Sequence, residues 1–306
     1  MDLRQIEYII AIEQEESISK AAEKLFITQS ALNQQLLKLE KELGTPLFHR
    51  SRTNWRLTEA GEIYIEGAKA ALQIKNTTYN RIYDVVSARK GHLTIGLTPG
   101  RGLRMFTSIY PELHRSFPNL DVRPIEMRVR AQQDAIAKGD IDVGLMTLTQ
   151  KDQTSDTYYP LKQEELVLII PSGHPLAAKA APSGEPLTTL DLTELRYEPF
   201  VLMDKTSTLR SSCDLLFEKA GFTPNILFET NNTSGIAAMV QSTLCCGIIP
   251  RYYTLGLTEG VACFSLPERP SWEIVISCQK NGYLNSGARE FIRLAREYWE
   301  NSAPLF

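Results

Sequence analysis

The chain has 306 residues, 43% of them hydrophobic and 23% charged, a composition typical of a folded globular protein with two or three compact units. It contains no run of about 18 uncharged apolar residues, which excludes a membrane-spanning helix. The first seven residues include two acids and lack the apolar core of an export signal, so we expect a cytoplasmic protein.

The charge is distributed unevenly along the chain, although the net charge is only −3. From Gly91 onward there are 20 basic and 24 acidic residues. Between residues 20 and 56 only three acids oppose seven basic residues, which are Lys20, Lys24, Lys38, Lys41, Arg50, Arg52 and Arg56. A locally basic end on an acidic body indicates that one end of the protein faces DNA.

Three short helices are predicted at the start of the chain. Asp2 can cap the first helix, and Ser17 or Ser19 can cap the second. The third is predicted from Gln29 to about Leu43, with Thr28 as its N-cap. Two alanines in the second helix leave room for another helix to approach closely, which favours a helix-turn-helix.

A wing and a long helix are predicted next. Residues 47–50 and 55–58 have the pattern of two short strands around a basic polar turn. A helix then extends from Thr58 to about Arg89 with an intermittent apolar stripe. A helix of about 30 residues without a packing partner is unstable alone, so we expect it to pair with a second copy of the chain.

Beyond Gly91, strand-like and helix-like runs alternate, which predicts βαβ units around a parallel core. The continuous apolar run at residues 166–170 is typical of a strand buried on both faces. Strands are predicted at 92–97, 121–127, 142–146, 166–170, 200–203, 226–229, 247–249 and 273–278, and helices at 103–117, 130–138, 207–220, 234–244 and 286–299.

The third helix begins with polar side chains that suit the edges of DNA bases. In a helix-turn-helix this end enters the major groove, where Gln and Asn can bind adenine through two hydrogen bonds. The predicted base-reading residues are Thr28, Gln29, Ser30, Asn33 and Gln34. The predicted phosphate or minor-groove contacts are Lys38, Arg50, Arg52 and Arg56. The alternative is a solvated helix face with no role in binding.

Polar loops follow the predicted strands of the α/β part, where ligands bind in open α/β folds. Helix N-termini and hydroxyl groups there favour a small anion such as a carboxylate. The candidate residues are Thr98, Pro99, Gly100, Arg101, Gly102, Thr147, Lys205, Thr206, Ser207, Asn232 and Thr233. Arg101 and Lys205 are the charges expected to contact the ligand. The alternatives are ordinary helix capping for the hydroxyl residues and surface solvation for these two cations.

An enzyme built on the α/β part is the main competing hypothesis, and an exported solute-binding module is another. The four histidines show no metal-binding spacing, and no nucleophile elbow or phosphate-binding loop is present, so we expect no catalytic residue, metal or cofactor. Neither alternative explains the basic N-terminal 60 residues. None of the five cysteines forms a C-x-x-C pair, and we interpret Cys213, Cys245, Cys246, Cys263 and Cys278 as buried thiols rather than a redox switch.

The N-terminal 60 residues closely resemble the LysR-type transcriptional regulators. The matching residues are Ser19-Lys20-Ala21-Ala22-Glu23-Lys24-Leu25, Thr28-Gln29-Ser30-Ala31-Leu32-Asn33-Gln34-Gln35, Leu39-Glu40-Lys41-Glu42-Leu43-Gly44, Leu47-Phe48-His49-Arg50 and Leu57-Thr58-Glu59-Ala60-Gly61. The alternation after Gly91 also fits this family, more weakly. Ser30 and Asn33 stand where members often have Pro and Ser, which affects the expected base preference rather than the fold.

This resemblance implies an α/β protein with an N-terminal all-α winged helix-turn-helix. It implies a DNA-binding domain at 1–58, a linker dimerisation helix at 59–90 and an effector-binding domain at 91–306. The last would resemble periplasmic binding proteins, with lobe I at about 91–163 and 268–306, lobe II at about 164–267, and a small-molecule effector between them. The resemblance also implies a homodimer that assembles into a homotetramer, promoter DNA and RNA polymerase as partners, and regulation through altered DNA bending.

Overall fold

The computed structural model describes residues 2–50, 55–86, 89–182, 184–257 and 259–302. The α-helices in these ranges are α1 Leu3–Glu15, α2 Ile18–Lys24, α3 Gln29–Leu43, α4 Glu59–Val85, α5 Arg101–Ser116, α6 Val129–Lys138, α7 Thr208–Lys219, α8 Thr233–Gln241 and α9 Ser286–Glu300. The strands are β1 Phe48–Arg50, β2 Trp55–Leu57, β3 Lys90–Leu97, β4 Asn119–Glu126, β5 Val143–Leu148, β6 Thr157–Pro171, β7 Pro199–Met203, β8 Asn225–Thr230, β9 Gly247–Pro250, β10 Val261–Ser265 and β11 Ser271–Cys278. Among the described residues, no helix is both long enough and apolar enough to cross a bilayer.

The three N-terminal helices begin at the predicted caps. Asp2 accepts a hydrogen bond from the backbone N–H of Arg4, and Thr28 accepts one from that of Ala31. The cap of α2 is Ser17 rather than Ser19. The two predicted alanines of α2 are almost completely buried against the apolar faces of α1 and α3, so the helices pack closely.

The wing is anchored to α3 by a buried acid. Strands β1 and β2 pair antiparallel, with Arg50 opposite Trp55. The carboxylate of Glu40, which is 8% exposed, accepts hydrogen bonds from the backbone N–H of Leu47 at 2.9 Å and from the guanidinium of Arg50. The predicted DNA contact Arg52 lies outside the described residues.

Helix α4 ends at Val85, a few residues before the predicted end. Its first half buries Tyr64 and Ile65 against the helix-turn-helix. Its second half is bound to the α/β part through Asn80. The side-chain amide of Asn80 accepts a hydrogen bond from the backbone N–H of His92 and donates one to the C=O of the same residue. The carboxylate of Asp84 accepts hydrogen bonds from the N–H and hydroxyl of Ser286, at the start of α9.

The α/β part has two sheets that share the long strand β6. In lobe I, β3 is parallel to β4 and β5, and β11 is antiparallel to β5 and to the first half of β6. In lobe II, β7 and β8 are parallel, but the second half of β6 is antiparallel to β9 and β10. The predicted parallel core is therefore correct for β3–β5 and β7–β8, whereas β6, β9, β10 and β11 pair antiparallel. The antiparallel part of the core includes residues 166–170. These residues are nonetheless fully buried, as predicted.

Two adjacent segments connect the lobes. Strand β6 continues from one sheet into the other, and the chain returns from β10 to β11 beside it. The backbone N–H of Leu166 donates to the carbonyl of Pro270 at 2.8 Å, which joins the two crossovers. Strand β10 was not predicted. Strand β6 begins well before the predicted strand at 166–170, because its first half is polar and lacks the apolar run on which the prediction was based.

The close contact between α4 and the wing predicts that the stability of the N-terminal unit depends strongly on Gly61. A Cβ at Gly61 would overlap the carbonyl oxygen of Leu47. We expect Gly61→Ala to destabilise the N-terminal unit by about 1–3 kcal/mol because the rigid backbone cannot move away. Gly67→Ala on the same helix is the control, since its Cβ would meet nothing within 4 Å. Equal urea midpoints for the two variants would contradict this packing.

Candidate DNA interface and ligand cleft

The tip of α3 presents the predicted base-reading residues to solvent. Thr28, Gln29, Ser30 and Gln34 are exposed, and Asn33 is half-buried. The hydroxyl of Ser19 donates to the Gln29 amide oxygen at 3.0 Å, which orients that side chain from α2. The amide NH₂ of Gln29 then points away from this bond and can donate to another acceptor.

The predicted phosphate contacts lie in different environments. Lys38 on α3 and Arg56 on β2 are exposed. Arg50 is bonded to the buried Glu40, and its guanidinium carbon lies 5.7 Å from the centre of the Trp55 ring. The carboxylate of Glu40 therefore offsets part of the positive charge of Arg50. Arg50 both holds the wing against α3 and adds positive charge to this surface.

A cavity of about 490 Å³ lies between the two lobes. The N-terminal ends of α5, α6, α7 and α8 all reach its wall. Of the predicted ligand residues, the wall includes Thr98, Pro99, Gly100, Arg101, Thr147, Thr206, Ser207, Asn232 and Thr233. The wall also includes residues that were not predicted from the sequence, among them Arg128, Val129, Met203, Tyr253 and Trp272.

Two of the predicted ligand residues are not part of this wall. Gly102 is buried in the first turn of α5, where a Cβ would lie 3.0 Å from the Thr98 hydroxyl oxygen. Lys205 is exposed in the loop after β7. The sequence pattern places both close to the ends of strands that border the cleft, but it does not indicate which way each residue faces.

Arg101 is buried and paired inside the protein. Its guanidinium donates to the carboxylate of Glu164, which also accepts hydrogen bonds from the Trp272 indole at 2.7 Å and the Tyr252 N–H at 3.0 Å. Three aromatic rings surround the same guanidinium, with centroids 5.5–5.8 Å from its carbon. The positive charge of Arg101 is thus neutralised by Glu164, and this cluster joins α5 to both crossovers.

Arg128 is the cation that spans the cleft. It lies at the start of α6 in lobe I and donates to Asp204 of lobe II at 2.8 Å and to the Thr206 hydroxyl. A second bond between lobes runs from the Thr208 hydroxyl to the Thr147 carbonyl at 3.2 Å. Arg128 directly follows a predicted strand, 121–127, and that position was the available signal.

The polar groups of the cleft favour an anion through backbone amides more than through net side-chain charge. Burial acts to raise the pKa of Asp204, but hydrogen bonds from Thr206 and Arg128 outweigh it and hold that pKa below its ordinary value. Arg128 is therefore paired with an ionised carboxylate near neutral pH. Arg101 already donates to Glu164. The hydroxyl oxygen of Thr98 is buried with no hydrogen-bond partner among the described residues. Four helix N-termini supply the remaining positive potential.

The cysteines lie away from this chemistry. Burial raises the pKa of Cys213 and Cys246 to about 12 and that of Cys263 to about 11. Thiols with such values carry almost no thiolate near neutral pH. Burial is as predicted for Cys213, Cys245, Cys246 and Cys278, whereas Cys263 is half-buried. No group of three or more potential metal ligands occurs within the described ranges.

The contacts of Glu164 predict that removing its carboxylate strongly destabilises the protein. Removing this carboxylate leaves the Arg101 charge buried without its partner, so we expect Glu164→Ala to cost about 3–5 kcal/mol of unfolding free energy. Glu268→Ala removes the partner of Lys219 from an exposed ion pair at 2.5 Å and is the control. Its effect should be much smaller because solvent screens the pair. Similar losses in chemical unfolding would show that the Arg101 pair is not a buried constraint.

Comparison with known proteins gives matches along the whole chain. Residues 3–62 match the family model described as bacterial regulatory helix-turn-helix protein, lysR family. Residues 87–300 match the model described as LysR substrate binding domain. An uncharacterized HTH-type transcriptional regulator of Bacillus subtilis (strain 168), YcgK, is 28% identical over 97% of this chain and 94% of its own length.

Solved structures share the fold. A full-length OxyR variant from Pseudomonas aeruginosa superposes with a TM-score of 0.71 at 21% identity, covering 100% of both chains. Full-length CbnR in complex with its target DNA gives a TM-score of 0.66 at 20% identity, covering 97% of this chain and 100% of CbnR. These similarities establish that the same helix-turn-helix, linker helix and two-lobed domain occur in this order.

Proposed function

This chain belongs to the LysR family of bacterial transcription regulators, and from that premise we propose that a small anion held between its two lobes controls its binding to specific promoter sequences. It is a DNA-binding regulator with an effector-binding domain, and not an enzyme. The observation that carries the proposal is the convergence of four helix N-termini on one cavity between the lobes.

We assign sequence reading to the tip of α3. The proposed base contacts are Thr28, Gln29, Ser30, Asn33 and Gln34, and the proposed backbone contacts are Lys38, Arg50, Arg52 and Arg56. Gln29 is the strongest candidate for a base contact because Ser19 already orients it and its NH₂ group is available. In a bidentate contact with adenine, this NH₂ group would donate to N7, and the remaining lone pair of the Gln29 amide oxygen would accept from the N6 amino group.

Replacing Gln29 should weaken binding to the preferred DNA sequence more than it weakens binding to DNA in general. We expect Gln29→Ala to weaken binding to a duplex selected by the wild-type protein by about 1–3 kcal/mol, with little change on an unrelated duplex. Gln35→Ala makes the same chemical change about 9 Å further along the helix axis and is the control. Equal losses on both duplexes, measured by fluorescence anisotropy, would exclude base reading by Gln29.

We propose a small carboxylate as the effector class. Its oxygens would accept hydrogen bonds from helix N-terminal amides and from Thr98, whose hydroxyl oxygen otherwise has no described partner. Arg128 donates hydrogen bonds to Asp204 and Thr206 across the cleft. An anion bound beside Arg128 would compete for these hydrogen bonds and so change the contacts between the lobes. Asn80 and Asp84 then couple lobe I to α4, and thus to the DNA-binding unit.

A thermal-shift screen tests the effector class. We expect small carboxylates to raise the melting temperature and neutral amides of the same shape to leave it unchanged, since binding at 100 times Kd stabilises by about 2.7 kcal/mol. The same ligands should alter the fluorescence of Trp272, which lies on the cavity wall. Thr98→Val should weaken this response, and Thr107→Val, an exposed position on α5, should retain it. A response to amides alone would reject an anionic effector.

We also propose that α4 pairs with its counterpart in a homodimer and that two dimers form a homotetramer. The support is an apolar stripe on α4 that is open to solvent in the single chain. Ile63 and Ile74 are each 68% exposed, and Val85 is 85% exposed. A surface helix with this pattern is stabilised by burial against another helix.

Charge on this stripe should dissociate the dimer. We expect Ile74→Glu to shift sedimentation toward monomer, because it would place a charged carboxylate on the apolar stripe of each copy, where burial without a partner is costly. Asn76→Glu adds the same charge to an exposed position on another side of α4 and should leave assembly unchanged. A dimer that tolerates Ile74→Glu and dissociates with Asn76→Glu would place the contact elsewhere.

The remaining parts of the proposal concern organisation and context. We propose domain bounds of 1–58, 59–90 and 91–306, with lobe I at about 91–163 and 268–306 and lobe II at about 164–267. RNA polymerase at the promoter is the proposed protein partner, and the cytoplasm the proposed location.

A further inference from the structure

The turn before α3 contains an aromatic residue in two unfavourable situations at once. Phe26 is 95% exposed, and its backbone is left-handed, with φ of +54°. The other non-glycine residues with positive φ among those described have polar side chains. An exposed ring in a strained backbone is often retained for a contact made in a complex.

The strain at Phe26 follows from how α2 ends. The N–H of Ile27 donates to the carbonyl of Ala22 at 3.0 Å, and the N–H of Phe26 donates to that of Glu23 at 3.1 Å. This pair of bonds requires a left-handed residue, for which glycine or asparagine is preferred. At the left-handed ends of α3 and α6 this chain has Gly44 and Gly139, with φ of +73° and +74°, and at the end of α1 it has the polar Glu16, with φ of +46°. Phenylalanine therefore costs stability here, and almost none of its ring is buried to offset that cost.

The position of Phe26 indicates what covers its ring. It lies two residues before Thr28, the N-cap of α3, and exposed Gln29 and Ser30 follow directly. When this tip enters a major groove, the preceding turn passes the wall of the groove, which is formed by sugars and phosphates. The apolar surface available on that wall is the face of the deoxyriboses.

We propose that Phe26 is a DNA-binding residue whose ring packs on deoxyriboses at the edge of the major groove. The proposal rests on the proposed DNA interface of α3 and adds to it a contact that is apolar and independent of sequence. A second copy of the chain is the competing occupant, but the exposed apolar stripe of α4 lies elsewhere and already provides a surface for pairing.

Phe26→Asn tests this contact because asparagine accepts the left-handed backbone, so the variant retains its fold. We expect its melting temperature to rise while its affinity falls roughly fivefold, the effect of exposing part of one apolar ring. The loss should be equal on a duplex selected by the wild-type protein and on an unrelated duplex. The dependence on salt should not change, because no charge is removed. Phe26→Leu should retain most of the affinity.

Leu43→Asn is the matched control, since Leu43 is 45% exposed at the opposite end of α3. It should leave affinity for both duplexes unchanged. Unaltered affinity of Phe26→Asn, or a loss confined to the selected duplex, would overturn the proposal, and so would dissociation of the oligomer by this variant. Failure of the wild-type protein to bind any duplex at low salt would instead refute the proposed DNA-binding function.

Discussion

The cleft depends on one buried carboxylate. Glu164 binds the guanidinium of Arg101, the indole of Trp272 and the backbone of Tyr252, and these groups belong to α5, the second crossover and lobe II. A charge with no solvent access must keep its partners, because each would be costly to leave unpaired. This requirement fixes the start of α5 at the point where the lobes meet, and α5 in turn forms one wall of the cavity.

Around this fixed point, the contacts between the lobes are of a different kind. Arg128 and Asp204 are partly exposed, at 44% and 25% of their side chains, and solvent can compete for their bond. The lobes are therefore joined by two kinds of contact. The buried Arg101–Glu164 pair at the crossovers is protected from solvent, whereas the Arg128–Asp204 pair across the cleft can be displaced by solvent or by a ligand. Helix α4 is attached to lobe I through Asn80 and Asp84, so a change at the opening can reach the helix that carries the DNA-binding unit.

The N-terminal unit was the part most accessible to prediction. Caps such as Asp2 and Thr28 act within three residues along the chain, and the alanines of α2 belong to a local helical period, so short-range patterns suffice. The anchor Glu40 was not recognised, because it lies at a position that reads as solvent-exposed in the sequence. Its burial arises only when the wing folds back onto α3.

By itself the sequence determined the family, the order of the helices and of most strands, and the loops that meet at the cleft, because these depend on local periodicity and on residues at chain turns. Only the tertiary structure decided the partner of each charge. Arg101 was expected to face a ligand, but it is bonded to Glu164, which is 63 residues away along the chain. Arg128 and Asp204 are separated by 76 residues and still meet across the cleft. Charges pair according to distance in space and exclusion from water, and neither quantity is encoded in any short stretch of sequence.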